Sequence, residues 1–333
     1  MQTRRLGRAG TKVSELCLGT MTFGQETDEP AAHAILDRFV EAGGTFIDTA
    51  DVYSAGVSEE IIGRWLKRRG RHDDLFIATK ARFPVGDGAP SGLSRRYLRR
   101  AVEANLRRLG VERIDLHQAH CWDPNTPIEE TLDTYEDLVR EGKIDYVGVS
   151  NFAGWHLQRT MLLGRERPRA LPVTVQPQYS LLQRGLEWEV GPVCAQEDVG
   201  ILPWSPLGGG WLAGKYRRGE RPTGATRLGE DPSRGQEAWD RRGTEQTWAV
   251  LDVVREIAEA RGKSMSQVAI NWVNHRPNVV AAILGVRTTE QLEDNLGAAG
   301  WELEPGERAR LDEVSAPPLP DYPYGFIEEE GSR

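Results

Sequence analysis

Residues 115–150 read DLHQAHCWDPNTPIEETLDTYEDLVREGKIDYVGVS, and they decide the fold. Asp115 to His120 is a short β-like run. Thr126-Pro127-Ile128-Glu129 has the form of a capping box with Pro at the first helical position, and Leu132, Tyr135, Leu138 and Val139 then recur at helical spacing up to Gly142. Tyr146 to Ser150 is β-like again. A strand, a helix and a second strand joined by short connections predict a parallel pair with a crossover helix.

The same unit repeats in both directions. Upstream lie Leu16 to Gly19, Thr45 to Thr49 and Leu75 to Lys80; downstream lie Val173 to Gln178, Gly200 to Trp204 and Val279 to Gly285. Between strands three and four, Ser94 opens a helical pattern with Leu98, Ala101, Val102, Leu106 and Leu109 on one face before Gly110. Eight such units predict a single α/β domain over residues 1–333, a (β/α)8 TIM barrel. Arg4 to Leu6 and Lys12 to Ser14 flank Gly7 to Gly10 and predict an N-terminal β-hairpin that plugs the barrel bottom. Lys215 to Gly243, rich in Gly, Pro and Arg, predicts a long functional loop after strand seven.

Composition narrows the function. Lys and Arg total 42 against 50 Asp and Glu, a formal charge of -8, which argues against a nucleic-acid partner. The longest apolar stretches, such as Val279 to Leu284, fall far short of the roughly 18 to 20 residues that span a bilayer. The first residues include Arg4 and Arg5 but no apolar run after them, so no secretory signal is expected and the reading is cytoplasmic. Cys17, Cys121 and Cys194 are widely spaced without a CxxC, which suits reduced packing thiols.

In a (β/α)8 barrel the chemistry gathers at the C-terminal ends of the strands. The polar residues of this chain fall there: Asp48 and, just beyond it, Tyr53; Lys80; His120; Ser150 and Asn151; Gln176; Trp204 and Ser205. Period-two parity places Phe46 with Asp48, Ala78 with Lys80, Gln118 with His120 and Gly148 with Ser150 on shared faces that can point inward.

The runs DTADVY at 48–53, ATK at 78–80, DLHQAH at 115–120, GVSN at 148–151, QPQY at 176–179, WSPLG at 204–208 and Gly285 through Asn295 together resemble the aldo-keto reductase superfamily. The resemblance extends from about Arg4 to Ser315 and leans toward bacterial members akin to the potassium-channel β-subunits. It implies a catalytic tetrad of Asp48, Tyr53, Lys80 and His120. The residues themselves support that chemistry. Reducing a carbonyl requires a proton for the developing alkoxide, and a phenol with a reference pKa of about 10 is a weak donor near neutrality. An ammonium at Lys80 is expected to lower the Tyr53 pKa, with Asp48 holding Lys80 charged and His120 donating to the carbonyl oxygen.

Two other motifs are set aside. His117 and His120, three apart on a strand, project to opposite faces and cannot chelate one ion, so no metal is expected. Gly208 to Ala213 fits G-x-G-x-x-A after a strand, but Gly219, Pro222 and Gly224 follow too soon for a crossover helix.

By resemblance, that glycine loop, with Ser205, Leu207, Gly209, Lys215 and Arg227, covers the pyrophosphate of a nicotinamide cofactor. Trp204 would stack on the nicotinamide, or else fill core, and Ser150, Asn151 and Gln176 would bond its carboxamide. Thr20 and Met21 also belong to the implied cofactor set, and Gly285, Arg287, Gln291, Asp294 and Asn295 would hold the adenosine end. Arg287, just before a helix opened by Thr288, would favour NADPH through its 2'-phosphate; Glu290, Glu293 and Asp294 could instead bind a bare ribose hydroxyl and admit NADH. The implied substrate is a small-molecule aldehyde, ketone or sugar carbonyl. Its pocket is expected from 23–28, 83–93, 122–125, Trp211 and 317–326, with Trp122, Trp211, Tyr322 and Phe326 as aromatic walls. Family members often have Arg where this chain has Cys121, so no anion-recognition role is carried to that position. The alternative reading is an NADP(H)-binding redox-sensing regulatory subunit with little turnover, which the lack of an inactivation segment ahead of Arg4 disfavours.

Overall fold

A computed structural model of the chain describes residues 1–167, 169–224, 226–231, 233 and 235–331. The chain begins with two short strands, β1 (Thr3–Arg5) and β2 (Lys12–Ser14), paired antiparallel with Arg4 opposite Val13. The predicted hairpin is therefore present. Leu6, Ala9 and Val13 are buried and pack with Cys17, Phe46, Phe76, Leu116, Val173 and Ile283, so the hairpin closes the barrel interior from below. Gly7 makes this closure possible. Its φ is +52° and an added Cβ would lie 2.1 Å from the Val173 carbonyl oxygen, a distance no side chain tolerates.

The barrel strands are β3 (Leu16–Gly19), β4 (Phe46–Asp48), β5 (Phe76–Ala81), β6 (Ile114–Ala119), β7 (Ile144–Ser150), β8 (Pro172–Gln176), β9 (Gly200–Ile201) and β10 (Ala282–Gly285). They form one parallel sheet in the order β10-β3-β4-β5-β6-β7-β8-β9. Its two edges meet: Ile201 bridges Val279, and backbone bonds run from Ile201 N to Asn278 O, Val280 N to Ile201 O and Ile283 N to Pro203 O. The expected (β/α)8 barrel is closed.

Around it lie α1 (Glu29–Glu41), α2 (Val57–Arg69), α3 (Arg95–Leu109), α4 (Ile128–Arg140), α5 (Gly154–Glu166) and α6 (Val190–Glu197), then the short α7 (Arg227–Glu230) and α8 (Trp239–Arg242). The chain continues through α9 (Glu245–Arg261), α10 (Met265–Asn274), α11 (Thr289–Leu296), α12 (Pro305–Val314) and α13 (Phe326–Gly331). The amphipathic helices bury one face on the sheet, as α3 does with Leu98, Val102, Leu106 and Leu109. Among the described residues no helix is long and apolar enough to cross a membrane.

Three local expectations change. Ser94 caps α3, accepting from the Tyr97 amide, but the box at 126–129 does not form. Pro127 is the N-cap without a side-chain bond, because the Thr126 hydroxyl turns to Asp123 at 2.7 Å and Asp123 also receives the Leu93 and Asn125 amides. β9 is continuous only to Ile201 and resumes as a single bridge from Trp204 to Gln178, because Pro177 on the neighbouring strand has no N–H to donate to Leu202 between them. Finally, Trp211 does not reach a substrate pocket. It is fully buried, stacked on Trp239 at 5.1 Å and edge-on to Trp248 and Tyr216, and it pins the loop after β9 to the body.

Candidate active site

Four strand ends converge on one buried ion pair. Lys80, on β5, is wholly buried and has all three ammonium protons engaged: Asp48 Oδ1 at 2.5 Å, the Thr49 carbonyl at 2.8 Å and the Tyr53 hydroxyl oxygen at 3.3 Å. Asp48, at the end of β4, receives Gln118 from β6 at 3.1 Å and Gln176 from β8 at 2.9 Å on its other oxygen. A buried carboxylate so surrounded is satisfied, which is the condition for keeping an ion pair out of water.

Tyr53 follows β4 on a constrained turn. Ser54 and Ala55 have φ of 49° and 54°, rare for residues with a Cβ, and the Ser54 hydroxyl ties the turn to the Phe23 carbonyl at 2.8 Å. Such backbone strain clusters where a side chain must be aimed. The Tyr53 ring lies 5.9 Å from His120, edge to face, and Phe83 meets His120 at 4.9 Å. The predicted tetrad is thus assembled at one place.

Its electrostatics are set by burial. Burial works against the Lys80 charge, yet Asp48 and Tyr53 carry its pKa above the usual lysine value. Burial pushes the Tyr53 hydroxyl above the ordinary tyrosine value; Lys80 pulls it down and Asp48 adds to the rise, leaving it raised. The lowering expected from Lys80 is therefore present but outweighed, by burial first and by the Asp48 carboxylate second. Burial, with Lys80 and Arg82 nearby, holds His120 well below the ordinary histidine value, so its ring is neutral and can donate or accept one proton.

Around the tetrad, Ser150 donates to the Gln176 carbonyl at 2.8 Å, and Asn151, with φ of 54°, donates to the His120 carbonyl and accepts the Trp204 indole N–H at 3.1 Å. Gln176 itself is committed to Asp48, a tie within the protein that the sequence did not announce. Trp204 is half-buried, and among the described residues it is the one tryptophan with neither an aromatic ring nor a cation against its face. Its ring packs in part on the apolar cluster inside the barrel and is otherwise accessible to a planar ring. Ser205 (φ 56°) and Gly208, Gly209 and Gly210, all at positive φ, coil the following segment into a 3-10 turn, not a crossover helix.

The outer residues are more dispersed. Thr20 is buried and donates to the Asp48 carbonyl, whereas Met21 is exposed. Leu207 precedes the 3-10 turn and Lys215 follows it, exposed. Gly285 ends β10 at the surface. Arg227 opens α7, and its side chain lies outside the described residues. Thr288 caps α11 as expected, with Gln291 accepting the Arg287 amide, Asp294 accepting Gln267 and Asn295 buried. Arg287 lies between Glu26 and Glu230, 3.1 Å from each. Glu293 pairs with Arg38. Tyr322 and Phe326 are exposed rings 6.3 Å apart, while Tyr324 stacks on Trp188.

His117 points away from the tetrad and meets Tyr135 of α4 at 3.1 Å, which disposes of the histidine pair. Among the described residues no cluster of three or more metal-ligating side chains occurs. Cys17 and Cys194 are buried free thiols and Cys121 is half-exposed.

Comparison with known proteins agrees with this geometry. The sequence model of the aldo/keto reductase family matches residues 15–316. A Bacillus subtilis (strain 168) protein described as uncharacterized oxidoreductase YrpG is 36% identical over 98% of this chain and 99% of its own. Norsolorinic acid reductase stcV of Emericella nidulans is 31% identical over 96% of this chain and 83% of its own. A probable voltage-gated potassium channel subunit beta of Oryza sativa subsp. japonica is 32% identical over 90% and 91%.

Proposed function

The chain belongs to the aldo/keto reductase family, and from that premise we propose that it reduces an aldehyde, ketone or sugar carbonyl to the alcohol with NADPH, in the cytoplasm. The observation that carries the reading is the Asp48–Lys80–Tyr53 chain of contacts beside a neutral His120. A bound nicotinamide would supply hydride to the carbonyl carbon. The partly exposed ring of Trp204 suits stacking on it, and Ser150 and Asn151 lie beside that ring; Arg287 and the N-terminus of α11 suit a 2'-phosphate.

The protein's own part is to move one proton. Tyr53 donates its hydroxyl proton to the carbonyl oxygen as negative charge grows there. Lys80, held charged by Asp48, sits 3.3 Å from the phenolic oxygen and stabilises the phenolate left behind. The neutral His120 ring offers an N–H to the same carbonyl oxygen and orients it.

The test is NADPH oxidation by the purified protein against a panel of aldehydes, ketones and oxidised sugars. Rapid turnover on any of them, lost in Tyr53→Phe, is expected. The rice relative's description raises a second reading, a cofactor-binding regulatory subunit. Tight NADPH binding without turnover on the whole panel would favour that reading instead.

A further inference from the structure

A carbonyl reduced at this site lies against Tyr53 and His120, so the groups beside those two decide what else the molecule carries. β5 delivers one that the tetrad does not use. Phe76 and Ala78 belong to the apolar cluster inside the barrel and Lys80 to the tetrad, whereas Ile77 and Ala81 pack in the outer cluster with the helices. Alternation therefore puts position 82 on the inner face, one step beyond Lys80 toward the mouth. The ladder still holds at that level, with the His120 amide donating to the Ala81 carbonyl at 3.1 Å. The residue there is Arg82.

The Arg82 guanidinium carbon lies 5.1 Å from the centre of the Phe83 ring, and that ring lies 4.9 Å from the His120 ring. The guanidinium can be no farther from the histidine than those two distances laid end to end. Its charge reaches the imidazole: burial first, then Lys80 and Arg82, hold the His120 pKa down. Arg82 is half-buried, and its Nε is enclosed without a partner, while its two terminal nitrogens are not enclosed. Among the described residues none of the three nitrogens bonds to or pairs with a protein group. The Asp123 carboxylate, close enough to interact with Arg82, is taken up by the Leu93 and Asn125 amides and the Thr126 hydroxyl. A cation partly withdrawn from water and without an anion is unfavourable until a ligand supplies one. Two donors in one plane match the two oxygens of a carboxylate.

We propose that the substrate is a small oxo acid, whose carboxylate is held by the terminal nitrogens of Arg82 while its carbonyl oxygen meets Tyr53 and His120. The proposal rests on carbonyl reduction as the activity and narrows the substrate to one class. Hydride still goes to the carbonyl carbon and the Tyr53 proton to its oxygen; the carboxylate is a handle that neither gains nor loses electrons.

NADPH oxidation by the full chain with glyoxylate, 4-oxobutanoate and 5-oxopentanoate, each measured against its own methyl ester, tests the proposal. The ester keeps the reacting carbonyl and removes the charge. For at least one spacing, kcat/KM for the acid should exceed that for the ester by roughly ten- to hundred-fold. Arg82→Met, which keeps an apolar stem beside Phe83, should bring that ratio close to unity, and Arg82→Lys, which keeps the charge without the planar fork, should fall between. A ratio does not change when part of a variant is misfolded. Esters reduced as well as their acids, or an acid preference that survives Arg82→Met, overturn the proposal and leave carbonyl reduction standing. Turnover of neither class removes the reduction reading instead, and titration calorimetry with succinate, which has the handle but no reducible carbonyl, then decides. Binding that Arg82→Met weakens by about tenfold or more upholds the carboxylate site, and the absence of such a loss overturns it.

Discussion

The Lys80 ammonium lies 2.5 Å from Asp48 inside the barrel, both side chains out of reach of solvent. A pair of this kind stabilises little when intact but leaves a bare charge when halved. Lys80→Met should therefore lower stability by about 3–5 kcal/mol. Adding Asp48→Asn should restore part of the loss, and urea denaturation of the two variants checks the difference. A single variant as stable as the parent would mean that Asp48 finds other compensation.

Tyr53→Phe removes one oxygen and leaves the ring against His120. Turnover on the best carbonyl should fall about 100- to 10,000-fold, the usual range for a lost general acid, while NADPH affinity changes little. Wild-type turnover in this variant would end the assignment of Tyr53 as proton donor.

Trp204→Ala should weaken NADPH binding through lost stacking and burial, seen as a higher dissociation constant in a fluorescence titration. Affinity equal to that of the parent would exclude the ring from the cofactor site.

Cofactor choice turns on Arg287, which is already shared by Glu26 and Glu230. A charge-assisted bond of about 1.5–3 kcal/mol corresponds to a roughly ten- to hundred-fold preference, so Arg287→Ala should weaken NADPH far more than NADH. Glu230→Gln frees the guanidinium and should tighten NADPH, with the gain shrinking as salt rises. Equal affinity of the parent for both cofactors would remove Arg287 from this role.

Asp51, buried and without a hydrogen-bond partner, gives the stability of the protein a pH signature. Its folded pKa of about 7 exceeds the unfolded value near 4, so the folded state holds the proton longer and stability falls as pH rises between the two. The penalty is absent below about 4 and complete above about 7, up to roughly 4 kcal/mol. Asp51→Asn, which cannot ionise, should match the parent at low pH and melt higher at pH 8. A melting difference that does not grow across this window would refute the assignment.

The barrel and the tetrad were legible because both follow from short-range rules. Alternation fixes which residues of a strand point inward, and polar side chains at Asp48, Lys80 and His120 stand out against apolar strands. What escaped depends on neighbours remote in sequence. The role of Gln118 and Gln176 in solvating Asp48 appears only when β4, β6 and β8 face one another across the interior. Trp211 was misplaced because its partners, Trp239 and Trp248, are brought to it by the fold of the loop. Nothing in the DTADVY run distinguishes Asp51, buried without a hydrogen-bond partner, from Asp48, in the tetrad; both are single carboxylates two positions from an aromatic.

The barrel ring is unevenly sewn. β7 runs for seven residues, whereas β9 has two and reaches β10's side only through the Ile201–Val279 bridge and a few backbone bonds. Local opening costs least where the fewest paired amides must be broken together. The staves should therefore part first between β9 and β10, and amide exchange at Ile201, Val280 and Ile283 should outpace that of β6 and β7. Trp204 and the glycine turn hang from this seam, so a ligand clasped there would act as a hoop, tightening the vessel at its weakest joint.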